Sequence, residues 1–170
     1  MSNIILIGMP SSGKSTVGKA LAKTIGMNFV DTDRLIEKRE NMKLQEIINL
    51  HGNDYFGKVE ETVLIDFEED DCIVATGGSA IYYEDAIKNF KKNGIILYLE
   101  VTFETVLERL NNIKTRGVTL KKGQTLEDLY KERVPLYEKY ADITVKADEG
   151  TVEETIKKIL NVVKNENECL

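Results

Sequence analysis

The chain has 170 residues with 23 Lys and Arg against 29 Asp and Glu, a formal net charge of −6 and a pI near 5.0. That length suffices for one domain, 1–170, with a core of its own, and the acidic balance excludes an overall positive field able to hold a nucleic acid. Signal-like and membrane-length apolar runs are lacking, and Cys72, Cys169 and the lone His51 form neither a disulfide framework nor a zinc cluster; the expectation is a cytoplasmic monomer with no membrane partner.

The first predicted element is a strand near 3–8, carried by the apolar run Ile4-Ile5-Leu6-Ile7. Gly8-Met9-Pro10-Ser11-Ser12-Gly13-Lys14-Ser15-Thr16 follows, a complete GxxxxGKS phosphate loop. Its glycines let backbone N–H groups turn onto phosphate oxygens, Lys14 adds a charge at the β and γ phosphates, and the Ser15 hydroxyl suits Mg²⁺. ATP is therefore the expected co-substrate, bound by Ser11, Ser12, Gly13, Lys14, Ser15 and Thr16. A helix is predicted over 14–26, with Val17, Ala20, Leu21 and Ile25 as its apolar stripe.

The second strand is expected near 28–31 and ends in Asp31-Thr32-Asp33, at the sheet edge where ligands bind in open parallel sheets. Two carboxylates at a strand-to-helix turn can diverge, one toward the metal and one toward an acceptor hydroxyl. The plainer alternative makes Asp33 a cap for the next helix. Helices near 33–50 and 53–68 form an insertion before the third strand, 72–76. That strand runs into Gly77-Gly78-Ser79, which suits either a close approach of backbone to ligand or a tight turn.

Further helices are predicted near 83–92, 102–111, 125–140 and 151–164, with strands near 94–99 and 142–146. Thr125 and Thr151, followed three residues later by Asp128 and Glu154, approximate capping boxes, whereas Thr102 meets Thr105 and lacks the acidic partner. Residues 111–124, polar and basic with two glycines, suit a mobile lid. Arg109, Lys114, Arg116 and Arg133 place cations within reach of a phosphate site. Apolar runs alternating with amphipathic stretches indicate an α/β protein, a parallel sheet with helices on both faces.

Taken in order, these pieces resemble the shikimate kinase family. The resemblance runs from Ile4 to about Ile159 and rests on the phosphate loop, Asp31-Thr32-Asp33 with Ile36-Glu37, and Gly52 and Phe56 with Glu60. It rests also on Ala75-Thr76-Gly77-Gly78, Arg109, Arg116, and Glu132-Arg133-Val134-Pro135-Leu136-Tyr137 followed by Ala141-Asp142. It implies a three-layer P-loop NTPase fold like that of the nucleoside monophosphate kinases, with a five-stranded parallel sheet, a helical substrate-binding insertion at about 33–68 and a lid at about 111–124. By the same resemblance Ser15 and Asp31 hold Mg²⁺, Asp33 binds the acceptor hydroxyl as base, and Arg109 lies against adenine. Arg116 and Arg133 meet the acceptor carboxylate and the transferred phosphoryl group, which makes Lys14, Asp33 and Arg116 the catalytic set, and the acceptor pocket comprises Asp33, Gly57, Lys58, Gly77, Gly78, Ser79 and Arg133.

The chain departs from the family pattern at three places. Gly57 stands where members carry a carboxylate-binding arginine, Ser79 replaces the third glycine of a triplet, and Arg116-Gly117-Val118-Thr119 replaces arginine-proline-leucine-leucine. A charge-assisted hydrogen bond is worth about 1.5–3 kcal/mol, so one missing arginine implies a roughly ten- to hundredfold weaker grip. Lys58 is the nearby cation, without the planar fork of a guanidinium. The expected reaction is ATP-dependent phosphoryl transfer to a hydroxyl of a small anionic metabolite, shikimate first and another hydroxy acid, amino acid or sugar acid second. A nucleoside monophosphate kinase is disfavoured by the few aromatic residues of the insertion beyond Tyr55 and Phe56, and a GTPase-type regulatory switch by the lack of DxxG and NKxD elements.

Overall fold

Five apolar runs pair as parallel strands in the computed structural model, which describes residues 2–111, 118 and 120–168. They are β1 (Asn3–Ile7), β2 (Asn28–Asp31), β3 (Cys72–Ala75), β4 (Gly94–Glu100) and β5 (Ile143–Lys146), in the order β2-β3-β1-β4-β5. The helices are α1 (Lys14–Ile25), α2 (Thr32–Glu40), α3 (Leu44–His51), α4 (Asn53–Ile65), α5 (Glu84–Lys92), α6 (Phe103–Asn111), α7 (Leu126–Tyr140) and α8 (Val152–Glu168). None of the described helices is long and apolar enough to cross a membrane.

Side chains alternate across a strand, so a strand buried on both faces is a near-continuous apolar run. Every residue of β1 is buried: Ile5 and Ile7 join α5 and α7 in one core, whereas Ile4 and Leu6 join Val17 and Leu21 of α1 and Ile156 and Ile159 of α8 in the other. These are the two helical layers of an α/β sandwich. A third, smaller core of Ile36, Ile47 and Val63 binds α2, α3 and α4 to one another, so the insertion between β2 and β3 carries its own apolar centre.

One expected element is corrected. The helix predicted over 33–50 is two helices, because Asn41 adopts a left-handed conformation with φ 51° and ends α2. The chain restarts at Leu44, where Glu46 accepts a hydrogen bond from the Lys43 N–H at 2.8 Å. The capping boxes at Thr125 and Thr151 both form. At Thr102 the missing acid comes from another element: Asp148 accepts from the Thr102 N–H at 2.9 Å. Half of the expected lid, including Lys114, Arg116, Gly117 and Thr119, lies outside the described residues; so does Cys169, while Cys72 is buried in the core.

Asn3 ties the start of the central strand to the chain entering β3. Its side chain is buried, accepting from the Cys72 N–H at 2.9 Å and donating to the Glu69 carbonyl at 2.6 Å. Asn3→Ala leaves that N–H buried without a partner, a loss of about 1–3 kcal/mol. Urea denaturation will read it as a lowered midpoint with an unchanged slope.

Candidate active site

The phosphate loop begins where β1 ends at Ile7 and hands over to α1 at Lys14. Gly13 (φ 94°) and Ser11 (φ 65°) both lie in the left-handed region, a conformation that costs a non-glycine residue energy and that recurs where backbone is shaped for a ligand. Ser11 Oγ is buried with no protein partner, a donor left over for a phosphate oxygen. The buried Lys14 ammonium folds back along the loop, donating to the Gly8 and Met9 carbonyls at 2.8 Å each and lying 3.3 Å from the hydroxyl of buried Ser12. Arg109, from α6, donates to the Ser11 carbonyl at 2.9 Å and so braces the loop.

The two aspartates after β2 divide their work. Asp31 caps α2, its Oδ1 accepting from the Asp33 N–H at 3.0 Å, which is the role the plainer reading had given to Asp33. Its other oxygen lies 3.4 Å from Ser15 Oγ. Asp33 points instead toward the glycine turn, with Oδ1 3.3 Å from where a Cβ on Gly77 would stand.

That turn is built on close approach. A Cβ on Gly77 would lie 2.9 Å from Glu60 Oε2, and one on Gly78 would lie 2.8 Å from Arg133 Nη1 and 2.9 Å from Pro10 Cδ. Neither position has room for a side chain. Tyr137 fixes the turn from below by donating to the Gly78 carbonyl at 2.6 Å. Arg133 is only 5% exposed; its Nε lies 3.4 Å from the Tyr82 hydroxyl, its guanidinium sits over the Tyr82 ring, and Tyr82 donates to Glu132. Glu60 is 2% exposed, and its Oε1 accepts from Ser79 Oγ at 2.5 Å and from the Tyr83 hydroxyl at 2.9 Å. Burial pushes the Glu60 carboxyl above its ordinary value, against the opposing pull of the two hydroxyls.

A cleft of about 440 Å³ collects these groups. Ser11, Gly13, Lys14, Ser15 and Thr16 line it on the donor side, with Asp31 and Asp33 between, and Gly77, Gly78, Ser79 and Arg133 on the far side. Val118 also lines it, the one lining residue from the expected lid among those described. Gly57 and the exposed Lys58 are not among the lining residues, and neither is Arg109. Sequence reasoning passed over Glu60 as a site residue. Its signal was an acid on the apolar stripe of α4, between Phe56 and the pair Val63 and Leu64. Tyr82 and Tyr83 carried no comparable signal, because their partners lie on other helices.

The family model for shikimate kinase matches residues 10–164 of the chain. The chain belongs to the shikimate kinase family. It is similar to the shikimate kinase of Sulfurihydrogenibium sp., 36% identical over 165 residues that cover 96% of this chain and 99% of the relative. The shikimate kinase of Haemophilus influenzae is 37% identical, with 97% and 94% covered. Among solved structures, the shikimate kinase of Acinetobacter baumannii in complex with shikimate superposes with a TM-score of 0.89 at 32% identity, over 98% of this chain and 94% of that one.

In this member of the shikimate kinase family the buried Glu60 makes stability depend on pH. The folded state holds the acid neutral to a higher pH than the unfolded chain, where it ionises near 4.5. Folding is thus favoured below that value and weakened as pH rises above it. Glu60→Gln cannot ionise, so its melting temperature relative to wild type will rise between about pH 5 and about pH 8. An offset that stays constant across this range would show that Glu60 is ionised in the folded state.

Proposed function

We propose that this protein transfers the γ-phosphoryl group of ATP to a hydroxyl of shikimate. The observation that carries the reading is Arg133: a guanidinium 5% exposed, with no carboxylate within 4 Å among the described residues, on the wall of the cleft that also holds the phosphate loop and Asp33. A buried cation that cannot shed its proton calls for an anion, and an acceptor carboxylate supplies one. Family membership and the shikimate complex of the Acinetobacter baumannii relative support the same acceptor.

Each residue then has a task. Backbone N–H groups of the loop with Ser11, Lys14 and Thr16 hold the triphosphate, and the Arg109 brace keeps Ser11 in its left-handed conformation. A hydroxyl and a carboxylate 3.4 Å apart, Ser15 and Asp31, fit a Mg²⁺ that keeps most of its water and would hold it there. When bound, that ion neutralises the β and γ oxygens. Asp33, turned toward the glycine pair, accepts the proton of the attacking hydroxyl. Arg133 orients the acceptor, and Arg116, from the lid, supplies positive charge to the transferred group.

An ATP-consumption assay of purified protein against shikimate, other hydroxy acids, hydroxy amino acids and nucleoside monophosphates tests the reading. Shikimate is expected to stimulate ADP release most, and Asp33→Asn to cost about 10²–10⁴ in turnover. Strong stimulation by another acid alone would reassign the acceptor, and near-normal turnover in Asp33→Asn would remove Asp33 as the base.

A further inference from the structure

Glu60 is a buried acid held in place by hydroxyl groups. Among the described residues no Lys or Arg nitrogen lies within 4 Å of it. Its two hydrogen-bond donors among the described residues, Ser79 and Tyr83, converge on the same oxygen, Oε1, at 2.5 and 2.9 Å. Both also come from one short stretch: Ser79 opens the 3₁₀ turn Ala80–Tyr82, and Tyr83 closes it and begins α5. That turn packs on α4, whose Gly57 lies one helical turn before Glu60. A Cβ on Gly57 would stand 3.3 Å from the Tyr83 hydroxyl, tight enough that the hydroxyl would have to give way by a few tenths of an ångström. The other oxygen, Oε2, approaches the same point beside Gly77 as Asp33 Oδ1, at 2.9 and 3.3 Å.

We propose that Ser79 and Tyr83 are positioning residues of the acceptor pocket: their hydroxyls clamp one oxygen of Glu60 so that the other faces the acceptor beside Asp33, and the bare backbone at Gly57 is what admits the Tyr83 hydroxyl. The proposal rests on the reading that an acceptor is phosphorylated in this cleft. Two chemical facts support it. A carboxyl whose two oxygens are equivalent in solution becomes a directional group once two donors occupy one of them. Tyr83 also stays protonated, since burial and the neighbouring Glu60 push its phenol well above the ordinary value, so it always has a hydrogen to donate. Through Glu60 the pocket reads a second oxygen of the acceptor, next to the hydroxyl that Asp33 serves.

The test is a double-mutant cycle on wild type, Tyr83→Phe, Ser79→Ala, Glu60→Ala and the two doubles with Glu60→Ala, read in KM for shikimate, KM for ATP and melting temperature. A single hydrogen bond of ordinary strength corresponds to about a fivefold change. Tyr83→Phe and Ser79→Ala should each raise KM for shikimate about fivefold, leave KM for ATP unchanged, and add nothing once Glu60 is alanine. Effects that persist at full size in the Glu60→Ala background, or an equal rise in KM for ATP, would overturn the proposal. So would coupling in melting temperature with no change in KM for shikimate, which reduces the contacts to packing. A wild type that consumes no ATP with shikimate overturns the assigned function instead; the melting-temperature cycle then decides the clamp, and additive effects there would reject it.

Discussion

Arg133 and Glu60 are both almost wholly removed from water on the walls of one cleft, and they are not paired within 4 Å. Taking a charge out of water without a partner is expensive, and the two side chains meet that cost differently. A carboxyl can take up a proton, and burial moves Glu60 in that direction. A guanidinium cannot, so Arg133 leans on the Tyr82 ring and hydroxyl and keeps its charge. The far wall of the cleft therefore carries the positive charge of Arg133. Much of the surrounding architecture serves that condition: α7 delivers Arg133 from the layer over one face of the sheet, α4 delivers Glu60 from the insertion, and side-chain-free Gly77 and Gly78 let the backbone between them come within contact distance of both.

The donor side is held by a different kind of constraint. On the proposed reading its working groups are largely main-chain N–H and one lysine, and the loop that carries them runs from the end of strand β1 at Ile7 to the start of helix α1 at Lys14. The cost is local and conformational, a serine at φ 65°, and Arg109 holds that conformation from outside by binding the Ser11 carbonyl. Arg109 sits on α6, two residues before the segment expected as a lid, so one helix braces the loop.

Legibility in the sequence follows this division. The five strands and two helical layers were readable because a strand covered on both faces is a near-continuous apolar run, as β1 after Asn3, β3 and most of β4 are. The phosphate loop was readable because its spacing is its geometry. The break at Asn41 was hidden by apolar residues, Ile36, Leu44 and Ile47, whose spacing runs on as if one helix continued; a left-handed asparagine interrupts it with no proline or glycine to announce the stop. Asp31 and Asp33 could be recognised as a pair, but which of them caps α2 depends on the φ and ψ at which β2 ends. Glu60, Tyr82 and Tyr83 act through contacts between elements 19 to 50 residues apart, and local periodicity carries no record of such pairings.

The same division bears on how such a site can vary. A donor side built from backbone tolerates little change, since altering Gly13 or the position of Lys14 alters the phosphate cradle itself. An acceptor side built from side chains on α2, α4, α7 and the turn after β3 can exchange one group for another as long as buried polar atoms stay satisfied. Gly57, Ser79 and Tyr83 have the form of such an exchange. The bare backbone at 57 leaves space that the Tyr83 hydroxyl approaches, the hydroxyl at 79 fills a position that the family pattern leaves to glycine, and the two hydroxyls together satisfy one oxygen of a buried acid. Of the departures that look like three separate losses in the linear sequence, Ser79 donates to Glu60 Oε1 and Gly57 stands beside the hydroxyl of Tyr83, the second donor to that oxygen. The missing arginine is thus better understood as one part of a repacked pocket than as an isolated defect in carboxylate binding.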